Sequence, residues 1–296
     1  MITHFLFLFV IILSMDKIKV IASDLDGTFF YPKKRIGLID KKNAELVRKF
    51  IDDGNRFLLV TSRDTTIKKR IEKKLNRKVD MLGCNGSFIM LGDEMIKEEH
   101  FDNKRLEEVL DYIFKNYNPH FYLLTSRDYT VLMPLTFKTW WYWLFYLFQG
   151  ALHDPYVTNT KKLHEELKNG YIYKTMLMVG LSKKRMQYAK KMVDELTPLF
   201  PDMTFSWCNQ MIEITPKGCS KSNAISFYLD YEKISHDNVY VVGDSGNDIS
   251  MFEDFLEHSY CMSHAQDSVK KKAKHIIKRF NELEKELYPS ADSPKE

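Results

Sequence analysis

A chain of 296 residues is long for one compact domain and comfortable for two. Its 44 basic and 40 acidic residues leave a net charge of only +4, too small and too scattered for a nucleic-acid polymer as partner. A hydrophobic content of 44% with 28% charged residues is that of a globular protein with a sizeable core.

The chain begins with an unbroken apolar run, residues 5–13, too short for a bilayer span of about 20 residues. No basic leader or small-residue cleavage site accompanies it, and Met15 opens a cleaner start just before the first strand. Residues 1–14 are read as a dispensable apolar extension, with a weak membrane anchor as the second reading. Cys84, Cys208, Cys219 and Cys261 are far apart and form no Cys-x-x-Cys pair. They give neither a zinc site nor a disulfide framework, which fits a cytoplasmic location.

Residues 18–23 are a short β-branched run ending in acidic residues, the pattern of a buried parallel strand. A helix is expected over 40–53, closed by Gly54, then a strand over 56–61, a helix over 65–75 and a strand over 80–83. Strands and helices in alternation with short connections indicate a parallel sheet with right-handed crossovers. The same grammar returns later, with helices over 221–231, 248–255 and 267–274 and strands over 239–242 and 259–262.

Between these halves the pattern changes. Amphipathic helices are expected over 103–116 and 183–196, and strands over 121–126, 129–133, 171–179 and 204–208. The fold class is therefore α/β: a Rossmann-like parallel-sheet core from residues 15–87 and 215–288, with an inserted α+β domain over 88–214. Residues 289–296 read as a disordered tail. Inside the insertion, Trp140 to Phe148 is apolar all round. It reads as a helix buried on the inserted sheet, with a substrate-facing wall, a dimer contact or a membrane-touching patch as other readings. The oligomeric state is left open.

In a sheet of this kind, sites form beyond the carboxyl ends of the strands. Three strand ends deliver polar residues together: Asp24-Leu-Asp26-Gly-Thr28, Thr61-Ser62-Arg63 and Gly243-Asp244-Ser-Gly-Asn247-Asp248. Converging carboxylates repel one another unless a cation sits among them, and oxygen-only ligands suit a hard ion such as Mg²⁺. Lys221, opening a helix after Gly218, adds positive charge to the same place. A site with a metal, an ammonium and hydroxyl donors is built to receive phosphate. An EF-hand is excluded, because Gly27 is fourth rather than sixth from Asp24. A P-loop is excluded at Gly218-Cys-Ser-Lys221-Ser222, where the first glycine of that motif is missing.

These runs resemble, in order, the four motifs of the haloacid dehalogenase superfamily. Asp24-Leu-Asp-Gly-Thr28 is similar to the first, Thr61 to the second, Lys221 to the third and Gly243-Asp244-Ser-Gly-Asn-Asp248 to the fourth. Asn85-Gly86-Ser87, Glu213-Ile-Thr-Pro-Lys-Gly218 and Met262-Ser-His-Ala-Gln-Asp-Ser-Val-Lys270 resemble Cof-type phosphatases with a type-IIB cap. Two positions depart from the pattern: Ser62 replaces a glycine, and Met262-Ser263-His264-Ala265 replaces the usual Met-x-Asn-Ala.

The resemblance implies a magnesium-dependent phosphatase of small phosphorylated metabolites. Asp24 would attack phosphorus and Asp26 would serve as acid and base. Asp24, Asp244 and the main-chain carbonyl of Asp26 would hold Mg²⁺, with Asp248 nearby, while Thr61 and Lys221 would hold the phosphoryl group. Ser62, Arg63, Asn85 and Asn247 are candidates for the substrate rim, although a turn role for Asn85 and a surface ion pair for Arg63 fit as well. A phosphomutase, or a non-catalytic scaffold using the aromatic run, are the alternatives.

Overall fold

The computed structural model describes residues 18–32, 39–148, 156–180, 182–208 and 211–289. The N-terminal extension and the tail from residue 290 therefore lie outside the described residues.

The chain alternates strand and helix as expected. Strand β1 (Val20–Ser23) leads through a turn to helix α1 (Lys41–Asp52), β2 (Arg56–Val60), α2 (Thr66–Leu75) and β3 (Asp80–Gly83). The Asp40 side chain caps α1 by accepting from the Lys42 amide, and Gly54, at φ +87°, follows its end. The return half supplies α7 (Lys221–Glu232), β12 (Val239–Gly243), α8 (Ile249–Asp254), β13 (Ser259–Met262), the single turn α9 (Asp267–Lys270) and β14 (His275–Ile277).

These strands form one sheet in the order β14-β13-β12-β1-β2-β3-β4-β5, parallel from β14 to β3. Its last two members, β4 (Phe88–Leu91) and β5 (Glu94–Glu98), are antiparallel additions at the edge. The first sheet thus runs on to Glu98, past the boundary expected at residue 87. A hairpin turning at Gly92-Asp93 needs no crossover helix, so the βα rhythm that marked the core stops one hairpin too early.

Alternation along β1 fills both faces of the sheet. Val20 and Ala22 join Leu58, Val60, Val239 and Val241 under Ile225, Tyr228 and Leu229 of α7. Ile21 points the other way, with Phe57, Leu59 and Val242, under Leu46, Val47 and Phe50 of α1. Burial of each such side chain contributes about 1.5–3 kcal/mol, so a central strand covered on both sides is a rigid mount for the residues at its carboxyl end.

The insertion forms a second sheet in the order β10-β11-β9-β6-β7-β8. Its members are β6 (Phe121–Ser126), β7 (Val131–Met133), β8 (Tyr156–Thr158), β9 (Ile172–Met178), β10 (Met203–Cys208) and β11 (Met211–Pro216). Helices α3 (Asn103–Tyr117) and α6 (Lys183–Leu199) bury Leu106, Val109, Leu110, Ala189, Met192 and Leu196 beside it. Strand β8 and helix α5 (Thr160–Asn169) were not expected from the sequence.

The aromatic run lies on helix α4 (Phe137–Phe148). It departs from the buried helix expected: Phe137, Trp140 and Trp141 are exposed and lie against one another, with Trp140 and Trp141 5.6 Å apart. Among the described aromatic side chains of α4, Tyr142 turns in, against Phe121 and 2.9 Å from His120 Nδ1. The side chains of Trp143 and residues 145–148 lie outside the described ones.

Candidate active site

The site is built where β1, β2, β3 and β12 end. Asp24 follows β1, its amide donating to the Val242 carbonyl at 2.9 Å and its side chain nearly sealed from solvent. Gly27, three residues on, has φ +84°, and a Cβ there would stand 2.3 Å from Asp244 Oδ2. Only glycine lets this turn pass so close to a carboxylate. Thr28 donates to Asp244 Oδ1 at 3.2 Å, tying the two strand ends together.

Lys221 opens α7, whose N-terminus is capped by Ser220 accepting from the Asn223 amide. Its Nζ donates to Asp24 Oδ1 at 2.7 Å and to Asp248 Oδ1 at 2.6 Å, with the lysine side chain wholly buried. The other Asp248 oxygen accepts from the amides of Asp244 and Ser245, each at 2.9 Å. Asp248 is thus a brace between a lysine and a turn.

Asp24, Asp244 and Asp248 each offer an oxygen within 4.8 Å of the others. One ammonium does not neutralise three carboxylates. Burial, reinforced by Asp248 and Asp244, pushes the Asp24 carboxyl well above the ordinary range despite Lys221. Burial raises Asp244 too, against the pull of His264 at 3.4 Å. Burial works against the charge on Lys221, but Asp24 and Asp248 outweigh it and hold the ammonium protonated. A buried acidic cluster short of positive charge, made only of oxygen donors, fits a hard divalent cation.

The remaining expected residues divide into two groups. Thr61 is buried at the end of β2, its Oγ1 accepting from the Arg63 amide at 3.2 Å. Arg63 grips Asp26 with two bonds, Nε to Oδ2 at 2.6 Å and a terminal nitrogen to Oδ1 at 2.9 Å. Asp26 is half exposed and its side chain stands apart from the carboxylate cluster. Asn85 and Asn247 meet at a different carboxylate, Glu213, and Ser62 offers its carbonyl to Lys174. A cavity of about 250 Å³ opens beside Lys221, lined also by Asn85, Trp207, Asn247 and Glu253.

Glu213 and Lys174 received no role from the sequence reading, nor did Thr28. The signal was there: each charged residue is set in a strand of aliphatic and aromatic neighbours, Ile212-Glu213-Ile214 and Tyr173-Lys174-Thr175-Met176. A charge at an inward position of a strand is rare unless paired. The four cysteines behave as expected for inert thiols, burial pushing Cys84 and Cys261 up to about 12 and Cys219 up to about 11.

An open parallel sheet with this cluster at its strand ends, and an α+β insertion above it, defines a haloacid dehalogenase-type hydrolase. The sequence profile of haloacid dehalogenase-like hydrolases matches residues 21–284, and the chain belongs to that family. It is similar to the 5-amino-6-(5-phospho-D-ribitylamino)uracil phosphatase YwtE of Bacillus subtilis, 26% identical over 290 residues, covering 89% of this chain and 94% of that one. It is also similar to the pyridoxal phosphate phosphatase YbhA of Escherichia coli, 22% identical over 279 residues, covering 88% and 93%. The subclass IIB sugar phosphatase BT4131 shares the fold with a TM-score of 0.70 at 18% identity, over 91% of this chain and 98% of that one. Among the described residues, no helix is long and apolar enough to cross a membrane.

Proposed function

We propose that this chain is a cytoplasmic, magnesium-dependent phosphatase that hydrolyses small phosphomonoesters through an aspartyl-phosphate on Asp24. The observation that carries the reading is the buried Asp24–Lys221–Asp248 bridge beside Asp244, at the carboxyl ends of the strands. Lys221 opposes the rise that burial imposes on Asp24 and fixes its carboxylate in direction, which is what a carboxylate nucleophile requires. Asp24 attacks phosphorus in line as the ester oxygen leaves, and Thr61 donates to a phosphoryl oxygen. Asp26 protonates the leaving oxygen and later takes a proton from the attacking water. For that, its bidentate pair with Arg63 has to part, and the guanidinium then turns to the incoming substrate.

Magnesium, when bound, would be held by Asp24, Asp244 and the Asp26 carbonyl, with Asp248 beside it, and supplies the positive charge that phosphoryl oxygens need. The heterocyclic phosphomonoesters in the relatives' names and the sugar phosphatase fold support a small phosphorylated sugar, nucleotide or cofactor as substrate. The full set of nucleophile, lysine and carboxylates favours turnover over a scaffold role.

The test is phosphate release from p-nitrophenyl phosphate and a panel of sugar phosphates, nucleotides and pyridoxal phosphate. It is run with Mg²⁺ and with EDTA, on wild type and Asp24→Asn. Release that needs Mg²⁺ and falls to background in Asp24→Asn is expected. A folded Asp24→Asn with wild-type turnover would refute the nucleophile.

A further inference from the structure

Glu213 and Lys174 are sealed from solvent, 1% and 2% exposed, although the chemistry proposed above uses neither. They lie on neighbouring strands of the inserted sheet. Glu213 stands opposite Met176, and Lys174, two residues from Met176, shares that face. Both reach across to the first sheet. Glu213 Oε2 accepts from Asn85 Nδ2 at 2.7 Å and from Asn247 Nδ2 at 2.8 Å, while its Oε1 accepts from Lys174 Nζ at 3.3 Å. Lys174 Nζ also donates to the Ser62 carbonyl at 2.6 Å.

Two residues of the inserted domain, the cap, thereby tie three turns of the first sheet, two of which carry residues of the proposed chemistry. Ser62 adjoins Thr61, Asn247 adjoins Asp248, and the Asn85 amide is bonded to the Thr61 carbonyl at 3.0 Å. Holding the cap in place does not call for such an arrangement. A buried ion pair contributes little net stability beside an apolar pair of like size. Apolar contact already docks the cap nearby, where Trp207 covers Gly246 so closely that a Cβ at 246 would fall 2.4 Å from its ring. What charge-assisted bonds add is direction and register.

We propose that Glu213, with Lys174, is a positioning residue that holds the turns of Thr61 and Asp248 in register with Asp24, so that catalytic order depends on the seated cap. The inference rests on the phosphatase reading.

The test compares wild type with Glu213→Gln and with Glu213→Gln/Lys174→Met, which leaves no buried charge unpaired. Phosphate release gives kcat and KM separately. Amide exchange by mass spectrometry follows peptides holding Asp244 and Ser245, whose N–H groups are bonded to Asp248. In both variants kcat is expected to fall at least about tenfold with KM within about threefold, the pattern of a lost transition-state contribution. Exchange is expected to quicken in residues 61–64 and 244–248 alone, with the unfolding midpoint of the double variant near that of wild type.

Two results overturn the proposal: a double variant with kcat within about twofold of wild type, or kcat lost together with a general rise in exchange across the cap. Should wild type release no phosphate from any substrate, faster exchange confined to those turns supports the clamp and the fault lies with the phosphatase reading. Unchanged exchange there overturns the clamp as well.

Discussion

Lys221 is the residue on which the most charge depends. Its ammonium bonds two buried carboxylates, and a third lies within 4.8 Å. Lys221→Met keeps the length of the side chain but leaves Asp24 and Asp248 facing each other without a counter-charge. A loss of about 3–5 kcal/mol in urea unfolding is expected without metal, the cost of breaking a buried ion pair from one side. A variant as stable as wild type would show that the carboxylates have another partner. At this scale the sequence spoke clearly where chemistry concentrates charge in one short motif, as in Asp24-Leu-Asp26. It marked Glu213 and Lys174 as charges among apolar neighbours but gave them no role, because their partners Asn85, Asn247 and Ser62 are brought to them only by docking of the second sheet on the first.

Among elements, the turn after β1 shows how packing aims chemistry. Phe29 is fully buried, its ring 5.0 Å from Phe57 of β2 and 5.1 Å from Phe280 near the chain's end. It anchors the turn from below while Gly27 and Thr28 press it against Asp244 from the side. Phe29→Ala is expected to cost about 3–5 kcal/mol in chemical denaturation, the range for a buried aromatic truncated to alanine. A cost under about 1 kcal/mol would mean that the turn is held by its hydrogen bonds instead.

The central elements were legible because a buried parallel strand has a simple pattern, an apolar run closed by polar residues. Less legible were the segments whose identity is set by neighbours. The helix expected over 267–274 stops after one turn at Lys270, and residues 275–277 become the edge strand β14, paired with β13. Three lysines in succession fit a solvated helix and a solvated loop equally well, so the sequence had no means to place that end.

On the scale of the whole molecule, the proposed metal and the cap would both couple the site to folding. A cation bound only by the folded site adds about 2.7 kcal/mol when present at a hundred times its dissociation constant. Mg²⁺ is therefore expected to raise the unfolding midpoint of wild type and to do so much less in Asp244→Asn; an equal rise in both would remove Asp244 from the metal site. Seating of the cap should respond to acid. Burial alone would raise the Glu213 carboxyl, but Lys174, Asn85, Lys221 and Asn247 together hold it below its ordinary 4.5. A depressed carboxyl stabilises the fold above that value, and the contribution disappears as pH falls below it through the folded pKa. Denaturation followed from neutral to acid pH should lose stability over that range in wild type, and lose less in Glu213→Gln. Parallel curves for the two proteins would refute the coupling.

Attachment of the cap is concentrated in β9, β10 and β11, which carry Lys174, Trp207 and Glu213. At the other side of the same sheet lie β7 and β8, with the exposed aromatic surface of α4 following β7 in the chain. Strands β9 to β11, with Thr130 bonded to Asp64, form one half, a bracket, and the exposed aromatic surface of α4 forms the other half, a free face. Inheritance then acts on the two halves differently. Substitutions in the bracket disturb the catalytic turns and are purged, whereas the free face can be rewritten repeatedly at little risk to the chemistry. Descendants of such a chain are expected to diverge first in what they recognise and last in how they cleave it.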